Sequence, residues 1–110
     1  MNDFEIDKAL ALAIKHKEND IGVYGDGGIY IRMFDENDEY IGEKPFNHKD
    51  PAVILPIVIE KKLSIQFSTK FCWWFVNLWH QGFGNIQIRG KTYEKCAALA
   101  VIELAKEGRI

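Results

Sequence analysis

Residues Phe71 to Trp79 read FCWWFVNLW, and as a strand this run is apolar on both faces. Alternation sends Phe71, Trp73, Phe75, Asn77 and Trp79 to one side and Cys72, Trp74, Val76 and Leu78 to the other. A strand in a small domain usually keeps one side for water, so this run belongs inside a sheet that is covered on both faces. The expected architecture is therefore a three-layer α-β-α sandwich of the α+β kind, with a central, mainly antiparallel sheet and Trp73 and Trp74 on opposite faces of an inner strand. A chain of 110 residues holds one such domain, spanning residues 1–110, and its 47% hydrophobic and 27% charged content is that of a globular protein.

The flanking segments supply the other layers. Ile6, Ala9, Leu10, Ala13 and Ile14 recur at helical spacing between Asp3 and Lys17, with Asn2 or Asp3 available as N-cap and Lys15 and Lys17 late enough to complement the helix dipole. Ile21–Tyr24 and Ile29–Phe34 read as two strands joined through Gly25, Asp26, Gly27 and Gly28, a hairpin. The stretch Asp35 to Asp50 is polar, lacks a period and contains Gly42 and Pro45, which predicts a long connecting loop. Asp50-Pro51 is a helix start, and Pro56 shortens or kinks the helix that follows. Leu63, Ile65 and Phe67 alternate with polar residues as a strand, and Asn85 to Arg89 forms the last strand. Thr92 caps a closing helix that presents Tyr93, Cys96, Ala97, Ala100, Val101 and Leu104 and stops at Gly108. The expected order is α-β-β-α-β-β-β-α.

Several function classes lose support. The formal net charge of −2 gives the whole molecule no electrostatic pull towards a phosphate backbone. The amino terminus is acidic before its apolar stretch, unlike a secretory signal, and no apolar run approaches the roughly 20 residues of a membrane helix. Two cysteines, Cys72 and Cys96, are no disulfide framework, so both are expected reduced, in a cytoplasmic protein.

No motif carries chemistry. The Gly25–Gly28 cluster lacks the third glycine of a dinucleotide loop and precedes a strand, so it reads as a turn. The acidic run Asp35–Glu39 begins like a calcium loop, but Tyr40 stands at the glycine position and Phe46 at that of the closing glutamate. His16, His48 and His80 share no ligand spacing. Cys72 and Cys96 lie in apolar patterns where a thiol acts as a small hydrophobe, which argues against pairing with His80 as a nucleophile. The chain is expected to be no enzyme and to need no cofactor or metal, and a site assembled from distant residues would escape this reading.

From Asp50 to Lys106 the elements run α-β-β-β-α, the order of a double-stranded RNA-binding domain. The lysine cluster such domains carry at the last helix is reduced to Lys91 and Lys95 around Glu94, and nucleic acid is therefore not the expected partner. The acidic first helix, the Asp50-Pro51 start, the Trp73-Trp74 strand and the closing YEKCAALAVIELA helix together resemble the phage ABA sandwich domain of small bacteriophage and prophage proteins. The resemblance implies a central antiparallel sheet between helical layers, a gene of phage or prophage origin and a cytoplasmic home in a bacterial host. It implies no activity and carries over no functional residue. Phage accessory proteins commonly bind and redirect other proteins, so a protein-binding module, with a host protein, a phage protein or a second copy as partner, is the leading expectation. The residues expected at its interface are Trp79, His80 and Phe83, from the loop Trp79 to Phe83 that follows the apolar strand, with Tyr40 and Phe46 from the long loop, because exposed aromatic rings supply contact area with few rotors to freeze.

Overall fold

A computed structural model of the chain describes residues 2–77 and 87–108. These form three α-helices and two three-stranded antiparallel sheets, a mixed α+β fold, gathered into two compact units, Met1–Asn47 and His48–Ile110. Two small sheets stand where one central sheet was expected.

The first unit opens with α1 (Asp3–Ala13). Asn2 and Glu5 form a capping box: the Glu5 N–H donates to Asn2 Oδ1 at 2.8 Å and the Asn2 N–H to Glu5 Oε1 at 3.3 Å. The helix stops four residues before Lys17 because Lys15 adopts φ 77°, letting its N–H reach the Leu12 carbonyl and the His16 N–H the Ala11 carbonyl, each at 3.1 Å. This is a Schellman ending with lysine in the glycine position, so Lys15 and Lys17 lie beyond the last turn instead of complementing its dipole. After a 3₁₀ turn at Glu18–Asp20 come β1 (Ile21–Val23) and β2 (Ile29–Phe34), the expected hairpin, with Gly27 at φ 91° in its turn.

The expected loop at Asp35–Asp50 is largely a third strand, β3 (Tyr40–Phe46), and the element order gains a strand. Its entry is a tight turn: the Asp35 carboxylate accepts from the Asn37 and Glu39 N–H groups at 2.9 Å each, and Asp38 sits at φ 60°. A bulge then follows, since Met33 pairs with Gly42 and Phe34 with Tyr40, leaving Ile41 over, with Gly42 at φ 141°. Bulge, Pro45 and an edge position hide the strand from pattern reading, because only its last residue, Phe46, enters the core. Helix α1 packs against β2; Ile6, Asp7, Leu10, Ala11 and Ala13 are its buried residues, and Ile29, Ile31 and Phe46 are buried from the sheet.

The second unit starts with α2 (Pro51–Glu60), whose N-cap Asp50 accepts from the Ala52 N–H at 2.9 Å. Ile54, Ile57 and Val58 form its buried face. Pro56 stays inside the helix; the Ala52 carbonyl it leaves without its usual donor is on an exposed residue, where water can serve instead. Lys62, at φ 55°, ends α2 in a second Schellman motif, with Lys62 N–H to Ile59 O at 3.2 Å and Leu63 N–H to Val58 O at 3.1 Å.

The sheet consists of β4 (Gln66–Ser68), β5 (Trp73–Asn77) and β6 (Gln87–Gly90), with β5 central. Helix α3 (Tyr93–Lys106) is capped by Thr92, whose Oγ1 accepts from the Lys95 N–H at 3.2 Å, and is followed by Gly108 at φ 70°. It packs against β5, β6 and α2. Gly90 permits this approach: a Cβ there would stand 2.7 Å from the Cys96 backbone nitrogen. Within this unit the elements run α-β-β-β-α, as the sequence indicated. No described helix is long and apolar enough to cross a membrane.

Candidate binding surfaces

Strand alternation gives the first sheet two unlike faces. Ile29 and Ile31 turn towards the buried side, so Tyr30, Arg32 and Phe34 occupy the other. Cross-strand register adds Gly22 and Pro45 beside Tyr30, Glu43 beside Arg32, and Tyr40 beside Phe34. The rings pair along this face. Tyr24 and Tyr30 have centroids 4.8 Å apart, Phe34 and Tyr40 meet edge-on at 6.0 Å, and Arg32 lies 5.7 Å from the Tyr30 centroid. Phe34 is 44% and Tyr40 57% exposed. Partial desolvation, then the Glu43 carboxylate and further neighbours including Asp26, push the Tyr24 phenol above its ordinary value.

The second sheet is also two-sided. Trp74 meets Tyr93 of α3 edge-on at 5.4 Å and Phe67 at 5.1 Å, and Val76 is buried on the same side. The opposite side carries Trp73, stacked on Phe71 at 4.8 Å and 16°, with the Arg89 guanidinium 4.7 Å from the Trp73 centroid and Lys70 Nζ 5.2 Å from that of Phe71. Adjacent tryptophans do point to opposite faces, as expected, but both are only half-buried. Phe71 lies in the turn before β5 and is 55% exposed. Apolarity on both faces here means one face against a helix and one lined by rings and cations.

The expected site residues separate. Tyr40 is exposed, on a strand instead of a loop. Phe46 is corrected: register sets it opposite Ile29, it is 7% exposed, and its ring meets His16 at 6.1 Å, so it belongs to the core. Trp79, His80 and Phe83 lie outside the described residues. The sequence reading missed Phe71, Trp73 and Arg89, and Tyr24, Tyr30 and Phe34. The signal was available for the first three: from Lys61 to Tyr93 the sequence has no Asp or Glu and five Lys or Arg.

Both cysteines are free thiols, in unlike settings. Cys72 is exposed, at φ 57° in the turn before β5, and not in the apolar interior where its neighbours suggested. Cys96 is buried on α3, its Sγ 3.6 Å from the Ile88 carbonyl, and burial pushes its pKa up to about 11. A thiol held protonated in this way is a poor nucleophile. Among the described residues no three His, Cys, Asp or Glu side chains gather as metal ligands. The Asp35 carboxylate is bonded within its own turn, and Gly25–Gly28 is a hairpin turn in which the Gly28 N–H donates to Asp26 Oδ1 at 2.9 Å.

Comparisons of the chain with protein-family models, with curated proteins and with solved structures give no match.

Proposed function

We propose that the chain is a non-catalytic protein-binding module that docks a basic segment of another protein on the outer face of its first sheet. The observation that carries this reading is a row of four rings, Tyr24, Tyr30, Phe34 and Tyr40, on a unit with eleven Asp and Glu against five Lys and Arg, a net −6. Aromatic faces attract cations through the ring quadrupole, and surrounding carboxylates steer a basic partner and penalise an acidic one. Rings of this size anchor protein interfaces because few rotors are frozen on binding.

Selection from a random peptide display library on the immobilised full chain tests the proposal. The expected peptides carry net positive charge and lose binding to the Phe34→Ala/Tyr40→Ala variant, which should stay folded because both rings are exposed. Enrichment of acidic or uncharged peptides, or binding that ignores the double substitution, would overturn it.

A further inference from the structure

We propose that the second unit binds single-stranded nucleic acid on the open face of its sheet, a surface distinct from the one assigned above to a basic protein segment. Register identifies what shares this face. Trp73 pairs with Ser68, and Phe75 lies between Gln66 and Arg89, so all five point the same way, with Phe71 stacked on Trp73 at the strand's start. The result is a row of cation, ring, ring and cation: Lys70, Phe71, Trp73 and Arg89.

The chemistry of this row fits one ligand class. Exposed rings offer unpaired bases a π-surface on which to stack, whatever the base, and a duplex cannot use it because its bases are already stacked. Phe71, 55% exposed, is where an incoming base would lodge, displacing the flexible Lys70 ammonium towards a phosphate. Arg89 supplies the second cation at the other end of the row, and the Gln66 amide can address base edges. Electrostatics agree. The second unit has nine Lys and Arg against five Asp and Glu, net +4, and all five carboxylates lie outside Lys61–Tyr93, the segment that contains every strand of this sheet. A near-neutral whole molecule conceals this local surplus.

The test is fluorescence anisotropy of the full chain with labelled oligothymidylate and oligouridylate about twelve nucleotides long, beside a duplex of similar length, in about 50 mM salt. Single strands should bind with micromolar affinity and the duplex much more weakly. Phe71→Ala should weaken binding about tenfold, with Phe71→Tyr retaining it, because stacking needs a ring and no particular substituent. Arg89→Gln should weaken it and flatten the salt dependence by about 0.7 in the log–log slope, one phosphate's worth. Phe71 and Arg89 are exposed, so circular dichroism and melting should be unchanged in these variants. The Phe34→Ala/Tyr40→Ala variant should bind oligonucleotide like the parent, which separates failure here from failure of the protein-binding proposal. Absence of single-strand binding, equal binding of the duplex, or indifference to Phe71→Ala would each overturn the inference.

Discussion

The two units use the same parts to opposite electrostatic ends. Each has a three-stranded antiparallel sheet, a helix packed on a strand and aromatic rings on the sheet's other side, yet one carries net −6 and the other net +4. The whole-chain charge of −2 averages this contrast away. Rings alone do not select a partner; the charges beside them do, Asp26 and Glu43 near Tyr24 in one case and Lys70 and Arg89 over Phe71 and Trp73 in the other.

Thiol chemistry probes the second unit alone, because the first contains no cysteine. Cys72 should react with a thiol reagent at mildly alkaline pH, and Cys96 at least roughly a hundredfold more slowly, since it must wait for an opening of the fold. Mass spectrometry of a timed alkylation checks this, and equal rates would mean that α3 does not hold its place on the sheet. The same thiol makes stability depend on pH. Its folded pKa is raised from 9.0 to about 11, so its contribution is complete below pH 9 and is lost as pH climbs towards 11, where only the unfolded chain releases the proton. Cys96→Ala should remove that part of the alkaline loss in urea titrations.

Close approaches differ between the units in a way that substitution can measure. At Gly90 an added methyl meets the Cys96 backbone, which cannot swing aside; at Gly22 it meets the outer end of the Tyr30 ring, which can. Gly90→Ala should therefore cost about 2–3 kcal/mol and Gly22→Ala about 1 kcal/mol or less in chemical denaturation. Gly22→Ala should also disturb the Tyr24–Tyr30 pair and with it peptide binding, while oligonucleotide binding is unaffected. The smallest effect is a gain: Lys62→Gly relieves a left-handed side-chain conformation at the end of α2 and should stabilise the chain by about 0.5–1 kcal/mol.

The elements legible from sequence were those with a strong period and a cap. Asp50 and Thr92 each cap a helix as read, Asn2 is the one of the two candidates that caps α1, and Gly27 turns the first hairpin. Strand β3 was illegible because its pairing depends on β2 as a template, while its own residues include a bulge glycine and a proline. Tyr40 was chosen as a loop residue and is exposed for another reason, its place on the outer face of a strand. Phe71 and Trp73 were assigned to a core because hydrophobicity was weighed without charge; the carboxylate-free stretch around them is what separates a buried face from one that holds cations over its rings.

Strand β3 also limits how anything can join the first sheet along that edge. An incoming strand that lengthens a sheet needs a flat, regular edge with its donors and acceptors in step. The extra residue at Ile41 throws that step out, Gly42 bends the backbone away, and Pro45 removes a donor altogether. Glu43 and Lys44 set charges of both signs between these interruptions. This border resists amyloid-like stacking and strand exchange between copies, and a ligand reaching it must be recognised by side chains on the face of the sheet instead of by backbone ladder completion.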